Sequence, residues 1–90
     1  MSDDDNLFIL YKMVQQLSFK TLYGKTFVLE GIDEDETIAD VKVRIHETEG
    51  YMEDIQKLLV SGRELDDKKK VREYFRENET NIICLYFKRK

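Results

Sequence analysis

Two alternating segments lie close together in the first third of this chain, and their spacing limits what it can fold into. In Leu17-Ser-Phe-Lys-Thr21 the residues Leu17, Phe19 and Thr21 share one face, and in the next segment Phe27 and Leu29 do the same. A two-residue period marks a half-buried strand. The link Leu22-Tyr-Gly-Lys25 is too short for a crossover, so the two strands must pair antiparallel. Gly24 can take the left-handed conformation that a bulged hairpin turn requires.

A helix follows the hairpin. Gly31 to Glu36 is an acidic loop, and Thr37 then has the chemistry of a helix N-cap, with Asp40 three residues on to complete a capping box. Ile38, Val41 and Ile45 recur at steps of three and four, which makes one apolar stripe. Gly50 stands where a C-cap glycine belongs, so the spacing predicts a helix from about Thr37 to Glu49. Gln56-Lys-Leu-Leu-Val60 reads as a third strand that ends in the turn signal Ser61-Gly62. Leu65 is a lone apolar anchor, Asp66 to Lys70 is a charged loop, and Val71, Tyr74 and Phe75 suit one helical turn. Asn81 to Phe87 is the last strand. Its Ile82, Cys84 and Tyr86 point one way, and Ile83, Leu85 and Phe87 point the other. Both faces are apolar, and only one can meet the main core. Strands, one helix and further strands in this order describe an α+β domain with the helix across one sheet face.

Ninety residues suffice for one domain with a single small core. Apolar residues at 41% and charged residues at 38% suit a highly soluble globular chain. No apolar run approaches the ~20 residues of a membrane-spanning helix, so no membrane partner is expected. The acidic opening Asp3-Asp4-Asp5 is unlike a secretory signal. A single cysteine, Cys84, excludes an internal disulfide and fits a reducing compartment, and the expected setting is the cytoplasm or nucleus. His46 is the one histidine, on the polar side of the predicted helix, and Cys84 is read as facing the core, where a thiol is inert. These two make no nucleophile–base pair, and no metal-ligand spacing occurs. The expectation is therefore no enzyme, no cofactor and no metal.

The segments Phe19-Lys-Thr-Leu-Tyr-Gly-Lys-Thr26, Thr37-Ile-Ala-Asp-Val-Lys42, Glu49-Gly50 and Gln56-Lys-Leu-Leu-Val-Ser-Gly-Arg-Glu-Leu65 come in the order and near the spacing of ubiquitin. From Gln15 to Phe87 the chain resembles the ubiquitin-like domain family. The resemblance implies a β-grasp fold, a mixed sheet with one helix packed across it and the first and last strands parallel at its centre. It divides the chain into an N-terminal extension, residues 1–14, and a ubiquitin-like domain, residues 15–90, with a basic C-terminal stub. Tyr74 falls at the family tyrosine that hydrogen-bonds a loop backbone. The chain departs from the pattern at Tyr51-Met-Glu53, which replaces an apolar-Pro-Pro run. It departs again at Arg76, which falls at a core position. A charge is costly to bury unpaired, so Phe75 is expected to fill the core there.

Ubiquitin is recognised mainly through one apolar patch. The resemblance places that patch here at Leu22, Leu59, Ile83 and Leu85, with Lys57, Gly62 and Arg63 as its polar and basic rim. This reading needs Ile83 and Leu85 outward and Ile82 and Cys84 inward. It implies a protein partner that carries a ubiquitin-binding helix or domain, such as a proteasome receptor. Of the lysines at ubiquitin's chain-linkage positions, Lys20, Lys25 and Lys42 are present, each read otherwise as a solvated surface charge.

Phe87-Lys-Arg-Lys90 has no glycine where ubiquitin conjugates through a Gly-Gly stem, so the sequence as it stands reads as a non-conjugated interaction domain. One alternative is a conjugatable modifier truncated before its Gly-Gly. Another is the ubiquitin-like domain of an RNA-processing protein, with Lys68, Lys69, Lys70, Lys88, Arg89 and Lys90 on phosphates. Clusters of that size give weak, salt-sensitive binding, and the net charge of -4 counts against nucleic acid as the partner. The extension brings a run of large apolar residues, Leu7 to Tyr11 and Met13, whose spacing suits a helix or a strand equally. It is expected to pack on this domain or on a second copy, which would make it a route to self-association.

Overall fold

A computed structural model describes residues 13–75 and 82–88. Five strands and one α-helix are found among them. Strands β1 (Met13–Thr21) and β2 (Thr26–Asp33) form the hairpin, α1 (Ile38–Glu49) follows, and β3 (Gln56–Val60), β4 (Arg63–Glu64) and β5 (Ile82–Phe87) complete the sheet. The sheet order is β2-β1-β5-β3-β4. β1 and β5 run parallel at the centre and every other neighbouring pair is antiparallel, the mixed β-grasp arrangement. β1 begins at Met13 and pairs Met13 with Asp33, whereas the helix-or-strand question for Leu7 to Tyr11 lies outside the described residues. The register across Arg76 to Thr80 lies outside them too.

Local sequence chemistry accounts for the helix and the hairpin. The Thr37 hydroxyl accepts the Asp40 backbone N–H at 3.1 Å, and the Asp40 carboxylate accepts the Thr37 N–H at 3.0 Å. The predicted capping box is therefore closed from both sides. At the other end Gly50 takes a left-handed φ of 83° and its N–H donates to the His46 carbonyl. Gly24, at φ 86°, turns the β1–β2 hairpin.

Ile38, Val41 and Ile45 of α1 meet Leu17, Phe19, Leu29, Leu58 and Leu65 in one core. Phe75 is buried in it, as the departure at Arg76 led us to expect. The Tyr74 hydroxyl accepts the Asp66 backbone N–H at 2.9 Å, the loop bond that the resemblance implied. Gln56 is fully buried, and its side-chain amide donates to the carbonyls of Lys42 and Tyr51 at 2.9 Å each. That side chain ties the start of β3 to the middle of the helix and to the segment just beyond its end.

The face of β5 is opposite to the sequence expectation. Ile83 and Leu85 are 1% and 0% exposed, while Ile82 is 59% and Tyr86 40% exposed. Cys84, expected in the core, is half-buried on the outer side. The pairing explains the inversion. Phe19 stands beside Ile83 and Thr21 beside Leu85 in the parallel register, and Leu58 stands opposite Leu85. Those neighbours are all buried. With a two-residue period, one buried neighbour fixes every other side chain of the strand. The chosen inner set is all hydrocarbon, whereas the rejected set would have put the Tyr86 phenol into the core in need of a partner.

Lys42 is a second departure. Read as a surface charge, it is 4% exposed, and its ammonium lies 2.7 Å from an Asp67 carboxylate oxygen.

Candidate interaction surface

The outer face of the sheet is assembled by register. Leu59 lies opposite Cys84, Lys57 opposite Tyr86, and Lys20 beside Cys84 on the other flank. Thr21 is level with Leu85, so Leu22 leaves β1 at the level of Tyr86, and its side chain is 66% exposed. Leu22, Leu59, Cys84 and Tyr86 thus share one side of the sheet. Of the four predicted patch residues, Leu22 and Leu59 stand on this face, and Ile83 and Leu85 belong to the core behind it. Cys84 and Tyr86 take their places. Of the rim residues, Lys57 is half-buried beside Tyr86 and Gly62 turns β3 into β4 at φ 81°, whereas the exposed Arg63 stands opposite Val60, which packs against the core, and Glu64 stands opposite Leu59.

The hairpin tip that carries Leu22 is held from behind. Tyr23 stacks on Phe87 with ring centroids 6.5 Å apart, and Phe87 packs against Tyr51 at 4.8 Å. Lys25 pairs with Glu49 at the end of α1 at 2.6 Å and lies over the Tyr51 ring at 5.9 Å. The Glu49 carboxylate raises the Lys25 pKa above its ordinary 10.5, first by hydrogen bonding and then by charge. Tyr51, at a departure from the ubiquitin pattern, therefore links the helix end, the hairpin and β5.

The basic loop meets the acidic one. Arg72 forms ion pairs with Asp35 and with Glu34, the latter at 3.7 Å, and Lys70 lies 3.9 Å from Asp35. The two loops are also joined through backbone bonds from Val71 to Glu36 and from Arg72 to Glu34. Lys88 lies 3.9 Å from Glu64. Lys68 and Lys69 are exposed, and Arg89 and Lys90 lie outside the described residues. Four of the six candidate phosphate contacts thus have a carboxylate neighbour or fall beyond the described region. His46 Nδ1 lies against the Glu53 carboxylate, and no cluster of metal-ligating side chains occurs among the described residues.

A family model described as the ubiquitin family matches residues 17–90. The chain belongs to the ubiquitin family. As a ubiquitin-like domain it is also similar to the UV excision repair protein rhp23 of Schizosaccharomyces pombe, at 36% identity over 69 residues. The match takes in 77% of this chain and 19% of that relative, so the chain spans about a fifth of the relative's length. No helix among the described residues of this ubiquitin-like domain is long and apolar enough to cross a membrane.

Proposed function

We propose that this ubiquitin-like domain is a non-enzymatic interaction module that docks on proteins carrying a ubiquitin-binding helix or domain. The observation that carries the reading is the shared outer face of Leu22, Leu59, Cys84 and Tyr86, flanked by Lys20 and Lys57. An exposed apolar patch with a polar rim is the usual form of a transient protein interface. Its size suits micromolar binding. A patch of ~400 Å² at ~25 cal/mol per Å² gives on the order of 10 kcal/mol gross, much of which is lost to association entropy and side-chain ordering. Membership of the ubiquitin family supports a receptor of the ubiquitin–proteasome system as partner, and the repair function named for the fission-yeast relative suggests a cytoplasmic or nuclear setting.

The test is a titration of the ¹⁵N-labelled chain with a ubiquitin-binding helix. Amide shifts should centre on Leu59, Cys84 and Tyr86, and Leu59→Ala should abolish them while leaving the fold intact. Shifts elsewhere, or none, would count against the reading.

A further inference from the structure

The sheet has two edges among the described residues, and only one of them is long. β4 closes one side with two residues, whereas β2 lines the other with eight. The hairpin bond from the Thr21 N–H to the Lys25 carbonyl sets the alternation along β2. Phe27 and Leu29 direct their backbone groups to β1, so Thr26, Val28 and Glu30 turn theirs outward. No described residue meets them. The free stretch ends at Gly31. That glycine takes a left-handed φ of 69°, and Ile32, in phase with the exposed Val28 and Glu30, is fully buried instead. Beside the free edge runs a groove of about 370 Å³ between β2 and α1, lined by Val28, Leu29, Glu30, Arg44, Glu47 and Thr48. Arg44 is held by both carboxylate oxygens of Glu36. Glu30 and Glu47 are exposed and have no cation within ion-pair distance among the described residues.

An unpaired edge of this kind is a template for one more strand. The chain carries a fitting segment of its own. Leu7-Phe-Ile-Leu-Tyr-Lys12 precedes β1 and lies outside the described residues, and its spacing suits a strand as well as a helix. This segment is too close to β1 to serve the edge of its own domain. Met13 is paired with Asp33, so a strand on the far side of β2 lies two strand spacings away, about 10 Å. The free stretch starts at Glu30, a further ~10 Å along β2. Passing over β2 to that point is a path of about 20 Å, which takes about six extended residues. The segment from Leu7 to Lys12 would be used up in the crossing. Asp3 to Asp5 would then lie along the edge, next to Glu30 and Glu47, with like charges together.

A second copy has no such constraint, and charge sets the direction in which its arm lies. A strand parallel to β2 brings Lys12 of the second copy to Glu30 and its Asp3 to Asp5 toward Lys25, whereas an antiparallel strand reverses both pairings. We infer that residues 7–11 of a second copy add to the free edge of β2 as a parallel strand, and that two copies swap their arms in this way. The reciprocal swap is closed by a two-fold axis, so it stops at a dimer. Leu59, Cys84 and Tyr86 lie on other strands and stay free for a different partner.

Sedimentation equilibrium of the 90-residue chain makes the test. The wild type should form a concentration-dependent dimer. Val28→Pro removes an N–H that points away from β1 and should weaken the dimer roughly tenfold or more. Glu30→Lys should weaken it as well, and Lys12→Glu added to the same chain should restore it. Leu59→Ala should leave it unchanged. The Val28 and Glu30 amide protons should exchange with solvent more slowly as the dimer forms. An intact amide spectrum establishes that each variant is folded, and Glu30→Lys carries the test if Val28→Pro is not. A wild type that is monomeric at every concentration would overturn the arm swap. A dimer indifferent to Val28→Pro and Glu30→Lys would overturn the role of the β2 edge. A dimer that Leu59→Ala dissociates would assign the contact to the outer face of the sheet and refute the inference.

Discussion

The inverted face of β5 makes a sharp prediction about two adjacent isoleucines. Ile83→Ala removes three carbons from a side chain that is 1% exposed, beside Phe19 in the core. At ~0.8 kcal/mol per buried carbon the transfer loss is roughly 2.5 kcal/mol. The cavity left behind adds to it, and buried Ile→Ala changes cost about 2–5 kcal/mol in all. Ile82→Ala removes the same atoms from a side chain already more than half in water, and should cost no more than about 0.5–1 kcal/mol. For a domain of this size each kcal/mol is worth about 4–8 °C in Tm. Ile83→Ala should therefore melt at least ~10 °C lower, and Ile82→Ala within a few degrees of wild type. Urea titrations followed by circular dichroism, with a common m-value, measure both differences. A large loss for Ile82→Ala with little for Ile83→Ala would restore the original face assignment and refute the register argument. It would also remove Cys84 and Tyr86 from the proposed interface.

Cys84 should react with a small maleimide in the folded protein at a rate insensitive to low urea, because its side chain is on the outer face; labelling that requires global unfolding would place it in the core. Gln56→Leu should destabilise the domain by about 1–3 kcal/mol, since it leaves the Lys42 and Tyr51 carbonyls without their buried donor, and a neutral result in denaturant melts would contradict that role. The Lys25 ammonium has a pKa raised by Glu49, so its contribution to stability is fully present below the ordinary value of 10.5 and is lost as pH rises through the higher folded value. Stability of wild type minus that of Lys25→Gln should accordingly be flat near neutrality and shrink in strongly alkaline buffer; a difference that grows there would reverse the sign of the linkage.

What was legible in the sequence was what local chemistry decides. The capping box of Thr37 and Asp40, the left-handed Gly24 and Gly50 and the stripe of Ile38, Val41 and Ile45 each need only neighbours within one or two turns of chain. The structure has all of them where the spacing put them. The misreadings fell where the deciding neighbour is remote. Lys42 sits one residue from Val41 at the margin of the helix stripe, and nothing nearby announces that Asp67 will meet it. The loop that carries Asp67 is brought there by backbone bonds to the start of α1, from Ile38 to Lys69 and from Ala39 to Asp67.

β5 poses the same problem in a stronger form. It is a central strand with apolar residues on both faces, so alternation divides it into two sets without saying which set is inner. One sequence signal could have decided it. The set Ile83, Leu85 and Phe87 carries no polar atom, whereas Ile82, Cys84 and Tyr86 would bring a phenol into a core of hydrocarbon side chains. A buried hydroxyl without a partner costs on the order of 1–3 kcal/mol, enough to choose between faces of otherwise similar hydrophobicity. The same chemistry connects the error to the function proposed. The side chains that the core rejects for their polar atoms, Cys84 and Tyr86, can make apolar contact and hydrogen bonds at a surface that is alternately wet and covered. β5 thus uses its all-hydrocarbon face to hold the fold, and the mixed face is the one left at the surface.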